Sequence, residues 1–132
     1  MTALDSYGKV IAVVEDDEDM RGLIRKYLER AGFETCCAGT GEEGVEMMKK
    51  VRPALIFLDV NLPDMTGWDV LCAARDCSGL EQLPAVIGSG SLDEKARYSE
   101  EKPPNTTFVQ KPFTKEELIS AVKRMLGPAG SP

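Results

Sequence analysis

The chain has no histidine among its 132 residues. That absence removes imidazole-dependent serine and cysteine triads, the usual zinc sites, and any role for the chain as a histidine phosphodonor. Acid, base and metal chemistry must rest on carboxylates and lysine. No apolar run approaches the ~18 residues that span a bilayer, and Met1 to Lys9 lacks the charged start and apolar stretch of a secretion signal. A cytoplasmic protein with no membrane contact is expected. Positive charge is the scarcer sign, with 16 Lys and Arg against 22 Asp and Glu and a net charge of −6. A phosphate backbone is repelled by that balance, so direct nucleic-acid binding is not expected. The four cysteines form no metal-ligand spacing. Cys36 and Cys37 are neighbours on an expected strand and point to opposite faces, while Cys72 and Cys77 lie on different sides of an expected helix; reduced, packed thiols follow.

What is present alternates. The length suits one domain. Val10 to Val14, Ala54 to Leu58 and Ala85 to Ile87 are continuous apolar blocks, the pattern of strands buried on both faces of a parallel sheet. Phe33 to Ala38 and Thr106 to Val109 read as two further strands. Between them Met20, Leu23, Ile24, Tyr27, Leu28 and Ala31 recur at helical spacing, with Gly32 as a stop signal. Three capping boxes mark later helix starts: Thr40 with Glu43, Ser91 with Glu94, and Thr114 with Glu117. Thr66 to Cys77 supplies another helix, and Leu118, Ile119, Val122, Met125 and Leu126 stripe the last one. Five strand–helix units imply an α/β fold with an open, doubly wound parallel sheet, because parallel strands need right-handed crossovers.

In such a sheet ligands bind beyond the carboxyl ends of the strands. After the first strand come Glu15, Asp16 and Asp17; after the third, Asp59 and Asn61; after the fourth, Ser89; after the fifth, Lys111. Carboxylates held close together repel one another unless a cation compensates. Because every candidate ligand is oxygen, a hard cation such as Mg²⁺ fits better than zinc or copper. A carboxylate, magnesium, a lysine and a hydroxyl on one rim point to phosphoryl transfer, with the carboxylate as direct nucleophile. Helix capping accounts for any one of these acids, Asp17 or Asp19 above all. It does not account for the hydroxyl and lysine after strands four and five.

Val13-Val14-Glu15-Asp16-Asp17, Leu58-Asp59-Val60-Asn61-Leu62-Pro63 with Gly67, Ser89-Gly90 and Lys111-Pro112-Phe113 together resemble the receiver domains of two-component response regulators. The resemblance runs from Lys9 to Leu126, setting a receiver domain at 9–126 and leaving 127–132 as a flexible tail. It implies a flavodoxin-like (βα)5 fold with strand order 2-1-3-4-5. It also implies that Asp59 is the phosphoacceptor, with Asp16 and Asp59 as side-chain ligands to Mg²⁺ (Mn²⁺ being the alternative ion) and Asn61 as a carbonyl ligand. Glu15 stands where the family often has Asp, and its longer side chain is expected to act through a water in the metal's shell. Lys111 would contact phosphoryl oxygens, the bond to Pro112 would be cis, and Ser89 and Phe108 would form a switch pair, with Gly90 leaving room for the phosphoryl group. The implied partner is a sensor histidine kinase or a histidine phosphotransfer protein, with a homodimer as a further option. The domain would be a signalling phosphoacceptor, catalysing only its own phosphorylation and dephosphorylation.

Two other readings compete. Gly39-Thr40-Gly41-Glu42-Glu43-Gly44 fits a dinucleotide fingerprint, with Asp59 about 20 residues on, although Glu42 and Glu43 would repel a pyrophosphate at that helix start. A receiver-like interaction module that never takes phosphate is the other. Gly88 and Gly90 are expected to loosen the backbone around Ser89. Pro103 and Pro104 should leave the fourth helix short or irregular, and its polar sequence should hardly pack. Trp68, Met47 and Met48 are expected in the core or at its rim. Met20 and Leu23 are read as core residues, or as partner contacts where they are exposed.

Overall fold

The computed structural model describes residues 10–127, so the expected domain start at Lys9 and the tail beyond Gly127 lie outside the described residues. Five strands alternate with five helices: β1 (Val10–Val14), α1 (Glu18–Arg30), β2 (Glu34–Ala38), α2 (Gly41–Val51), β3 (Leu55–Asp59), α3 (Gly67–Arg75), β4 (Ala85–Ser89), α4 (Leu92–Glu101), β5 (Thr106–Gln110) and α5 (Lys115–Leu126). All pairings are parallel, in the order β2-β1-β3-β4-β5. The apolar blocks divide strictly by parity. Ala12, Val14, Ile56, Leu58, Ala85 and Ile87 enter a core layer with Met48, Val70 and Ala74 of α2 and α3. Ile11, Val13, Leu55, Phe57 and Val86 face Ile24 and Leu28 of α1 and Leu118, Ala121 and Val122 of α5. A period of two on a sheet covered on both sides produces this division. Among the described residues, no helix is long and apolar enough to cross a membrane.

Helix starts differ in detail from the sequence expectation. Thr114 forms the full reciprocal box, accepting from Glu117 N at 3.0 Å while Glu117 Oε1 accepts from Thr114 N at 2.8 Å. A second full box, Thr66 with Asp69, opens α3. Thr40 and Ser91 make only half of theirs. Glu43 turns instead to Gly39 N, and the amide of Ser91 donates to Ser89 Oγ. α1 ends as expected, with Gly32 at φ +99°, where a side chain would be strained.

Three expectations are corrected. α4 is a regular ten-residue helix that closes at Lys102, in the left-handed region at φ 37°, before the prolines can interfere. Tyr98 anchors it: the ring is buried, and its hydroxyl meets Thr106 Oγ1 at 2.9 Å. Cys72 is exposed rather than packed, because the inward stripe of α3 is Val70, Leu71 and Ala74. Cys36 and Cys37 do lie on opposite faces, and burial pushes the Cys36 thiol up to about 11, which keeps it protonated and unreactive. Gly88 is held within β4, paired with Asp59 on one side and Val109 on the other. A Cβ there would stand 2.7 Å from Phe57 Cζ, so the glycine exists to admit that ring. Gly88→Ala is expected to cost about 2 kcal/mol in urea denaturation; unchanged stability would mean that the Phe57 ring moves aside freely.

Candidate functional site

Strand register builds the site. Val14 pairs with Leu58, so Glu15 and Asp59 leave neighbouring strands side by side at the point where the sheet order reverses. Asp59 pairs with Gly88, and Ser89 pairs with Gln110, which sets Ser89 and Lys111 at the same edge. Polar burial concentrates here. Among the described residues, the buried polar or charged ones are Glu15 (1% exposed), Asp59 (7%) and Ser89 (1%).

Glu15, Asp16 and Asp59 each bring a carboxylate oxygen to within 4.8 Å of the others, with Asp16 exposed at the mouth. Lys111 Nζ lies 2.5 Å from Glu15 Oε1 and 3.5 Å from Asp59 Oδ1. Three ionised carboxylates against one ammonium leave an excess of two negative charges. Burial is the largest influence on both inner acids. It raises Glu15 and Asp59 above their ordinary range in spite of the lysine, and each is raised further by a neighbouring acid. An all-oxygen donor set carrying uncompensated negative charge suits a hard divalent cation.

The backbone braces these groups. Asn61 N donates to Asp59 Oδ1 at 3.4 Å, and Asp17 N to Glu15 Oε2 at 3.2 Å. Ser89 Oγ accepts from Ser91 N at 3.1 Å, and Ser89 O accepts from Lys111 N at 2.9 Å. The Lys111–Pro112 bond is cis. A Cβ on exposed Gly90 would find only Lys111, at 3.8 Å, so that side of the rim is open. Phe108 stands apart from the acids. It packs on the α2–α3 layer, with its ring 5.4 Å from Tyr98, which in turn stacks on Trp68 at 6.2 Å.

Sequence reasoning missed three contributors. Arg21 on α1 donates to Glu15 O at 2.9 Å and so supports the acidic turn from behind, yet in the sequence it is one more helix-face charge. Asp64 takes Gly41 N at 2.8 Å and Glu42 N at 2.9 Å. It thereby ties the loop after β3 to the start of α2, and those backbone donors hold its carboxyl below the usual range. The Thr66–Asp69 box was passed over because the third residue is Asp rather than Glu; Thr or Ser followed three places on by any acid is the signal that finds it. Asp64 also answers the dinucleotide reading, because the amides a pyrophosphate would need are already bonded to a carboxylate. Gly44 is explained by packing: a Cβ there would lie 2.8 Å from Val14 Cγ2.

Comparison with known proteins follows the same line. The profile of the response regulator receiver domain matches residues 11–123. Transcriptional regulatory protein GltR of Pseudomonas aeruginosa is 29% identical over 123 residues, covering 93% of this chain and 51% of that protein. Transcriptional regulatory protein SrrA of Staphylococcus aureus is 31% identical over 116 residues, covering 88% and 47%. The chain thus spans about half the length of the curated relatives it matches. Among solved structures, the chemotaxis protein CheY4 of Vibrio cholerae superposes with a TM-score of 0.79 at 27% identity, covering 88% of this chain and 97% of that one. A response regulator from Chloroflexus aurantiacus gives 0.80 at 28%, covering 89% and 97%.

Proposed function

The chain belongs to the response regulator receiver-domain family, and from that premise we propose that Asp59 accepts a phosphoryl group from the phosphohistidine of a sensor histidine kinase or histidine phosphotransfer protein. The observation that carries the reading is the Glu15, Asp16 and Asp59 cluster with Lys111 inside it. An Asp59 oxygen attacks phosphorus, the P–N bond to the imidazole breaks, and the departing ring keeps the electron pair and takes up a proton. Asp16, Asp59 and the Asn61 carbonyl would hold a magnesium ion, with Glu15 acting through water, and the bound ion would neutralise charge on the phosphoryl oxygens. Lys111 shares that task, exchanging its Glu15 partner for an incoming oxygen. Hydrolysis of the acyl phosphate returns the domain to rest, so its catalysis is confined to its own cycle. Magnesium-dependent incorporation of phosphoryl from acetyl phosphate, read by intact mass, tests the reading; a chain that stays unlabelled with magnesium in excess is the non-phosphorylated interaction module instead.

The conformational response is built on Ser89. A phosphoryl group on Asp59 adds charge and acceptor oxygens next to that hydroxyl, and only contacts that differ between two states shift their populations. Phe108, Tyr98 and Trp68 are in contact in series, Tyr98 tilted against Phe108 and stacked on Trp68, and Trp68 is the single tryptophan of the chain. Magnesium and beryllofluoride are expected to change Trp68 emission in the wild type, and Ser89→Ala to keep ligand binding while flattening the signal. An undiminished emission change in the variant would take Ser89 out of the switch.

A further inference from the structure

The start of α4 holds one amide and two acceptors. Ser91 caps the helix, its Oγ accepting from Glu94 N at 3.2 Å. Its own amide should go to the Glu94 carboxylate, as the amides of Thr66 and Thr114 go to Asp69 and Glu117. It goes instead to Ser89 Oγ at 3.1 Å. Glu94 Oε1 is thereby left buried without a hydrogen-bond partner, one of two such side-chain atoms among the described residues. A buried carboxylate oxygen without a donor is unfavourable, and native structures rarely keep one without a reason.

We infer that Glu94 is the alternative acceptor for the Ser91 amide, so that departure of the Ser89 hydroxyl completes the α4 capping box. Here the amide serves Ser89 Oγ and leaves Glu94 Oε1 without a donor. While Ser89 Oγ is in place the box stays half made; once Ser89 turns toward an anion on Asp59, the Ser91 N–H is released to Glu94 and the first turn of α4 tightens. Glu94 is then a positioning residue, acting on α4 through Ser91 and touching no reacting atom. Three residues would link the phosphorylation edge to the helix without passing through Phe108.

The decisive experiment needs no phosphate. In Ser89→Ala the competing oxygen is gone, so the Ser91 amide should pair with Glu94 at all times. Hydrogen exchange at Ser91, read by NMR in the magnesium-free full chain, is expected to slow about tenfold relative to wild type, the scale of a hydrogen bond to a charged group. Glu94→Ala in the Ser89→Ala background should abolish the protection, whereas Glu94→Gln, which keeps an acceptor, should restore most of it. In the wild-type background Glu94→Ala should leave exchange at Ser91 unchanged, because Ser89 holds the amide there. Faster exchange at Ser91 in Ser89→Ala, or protection that survives Glu94→Ala, overturns the inference. A second arm rests on the proposed function: beryllofluoride with magnesium should slow Ser91 exchange in wild type and fail to do so in Glu94→Ala. If wild type binds no beryllofluoride, the phosphoacceptor reading fails while the Ser89→Ala arm still decides the role of Glu94.

Discussion

Asp59→Asn is expected to reduce phosphoryl uptake from acetyl phosphate by more than about 10⁴-fold, the scale seen when a covalent nucleophile is removed, while the chain stays folded. An amide matches the carboxylate in shape but carries no charge with which to attack phosphorus, and it is a poorer magnesium ligand. The fold should gain from the change. Asp59 is buried beside Glu15 and raised above the ordinary carboxylate range, burial being the largest cause, so the ionised group opposes folding when no cation is bound. Thermal denaturation in chelator should give Asp59→Asn a higher midpoint than wild type, and added magnesium should narrow the gap by stabilising wild type alone. Hydroxylamine-labile labelling of the variant at the wild-type level would move the phosphoacceptor away from Asp59.

Lys111→Met should have the largest effect on stability, a loss of about 3 kcal/mol at neutral pH in urea denaturation, as when one partner of a buried ion pair is removed. Its ammonium is the positive charge within bonding distance of both buried acids, and Glu15 is fully enclosed. The pH dependence fixes the cause. Glu15 and Asp59 are both raised in the folded chain, so the folded state holds their protons more tightly than the unfolded one. Their contribution to stability is therefore greatest below the ordinary carboxylate values and is lost as pH rises through the raised ones. Without Lys111 those values rise further, so the variant should approach wild type in acid and fall away from it toward neutrality. Excess magnesium should recover part of the loss. A deficit that is the same at every pH would instead point to the lost packing of the lysine stem.

The sheet was legible because strands buried on both faces leave apolar blocks that resemble nothing else in the chain. The edge carrying the acids was legible because parallel strands deliver their carboxyl ends to one side, and Asp59 and Ser89 end a strand while Glu15 and Lys111 directly follow one. Other features depend on partners distant in sequence. Gly88 reads as a loosening residue until Phe57 is seen across the sheet, and Asp64 reads as a turn acid until the start of α2 is seen against it. Ser91 and Glu94 spell a capping box, and nothing local reveals that Ser89, two residues earlier, takes the amide the box requires. The helix between Leu92 and Glu101 was undervalued because its packing rests on one ring, Tyr98, in a polar segment.

Phe57 also meets Phe113 edge to face, with centroids 5.9 Å apart, and this brace stiffens the segment carrying Lys111 from the side of α1 and α5. Across the sheet, α4 buries a single side chain, Tyr98, and leaves Leu92 70% exposed. The exterior of α4 can therefore vary in sequence without disturbing the packing that holds Lys111 against the two buried acids.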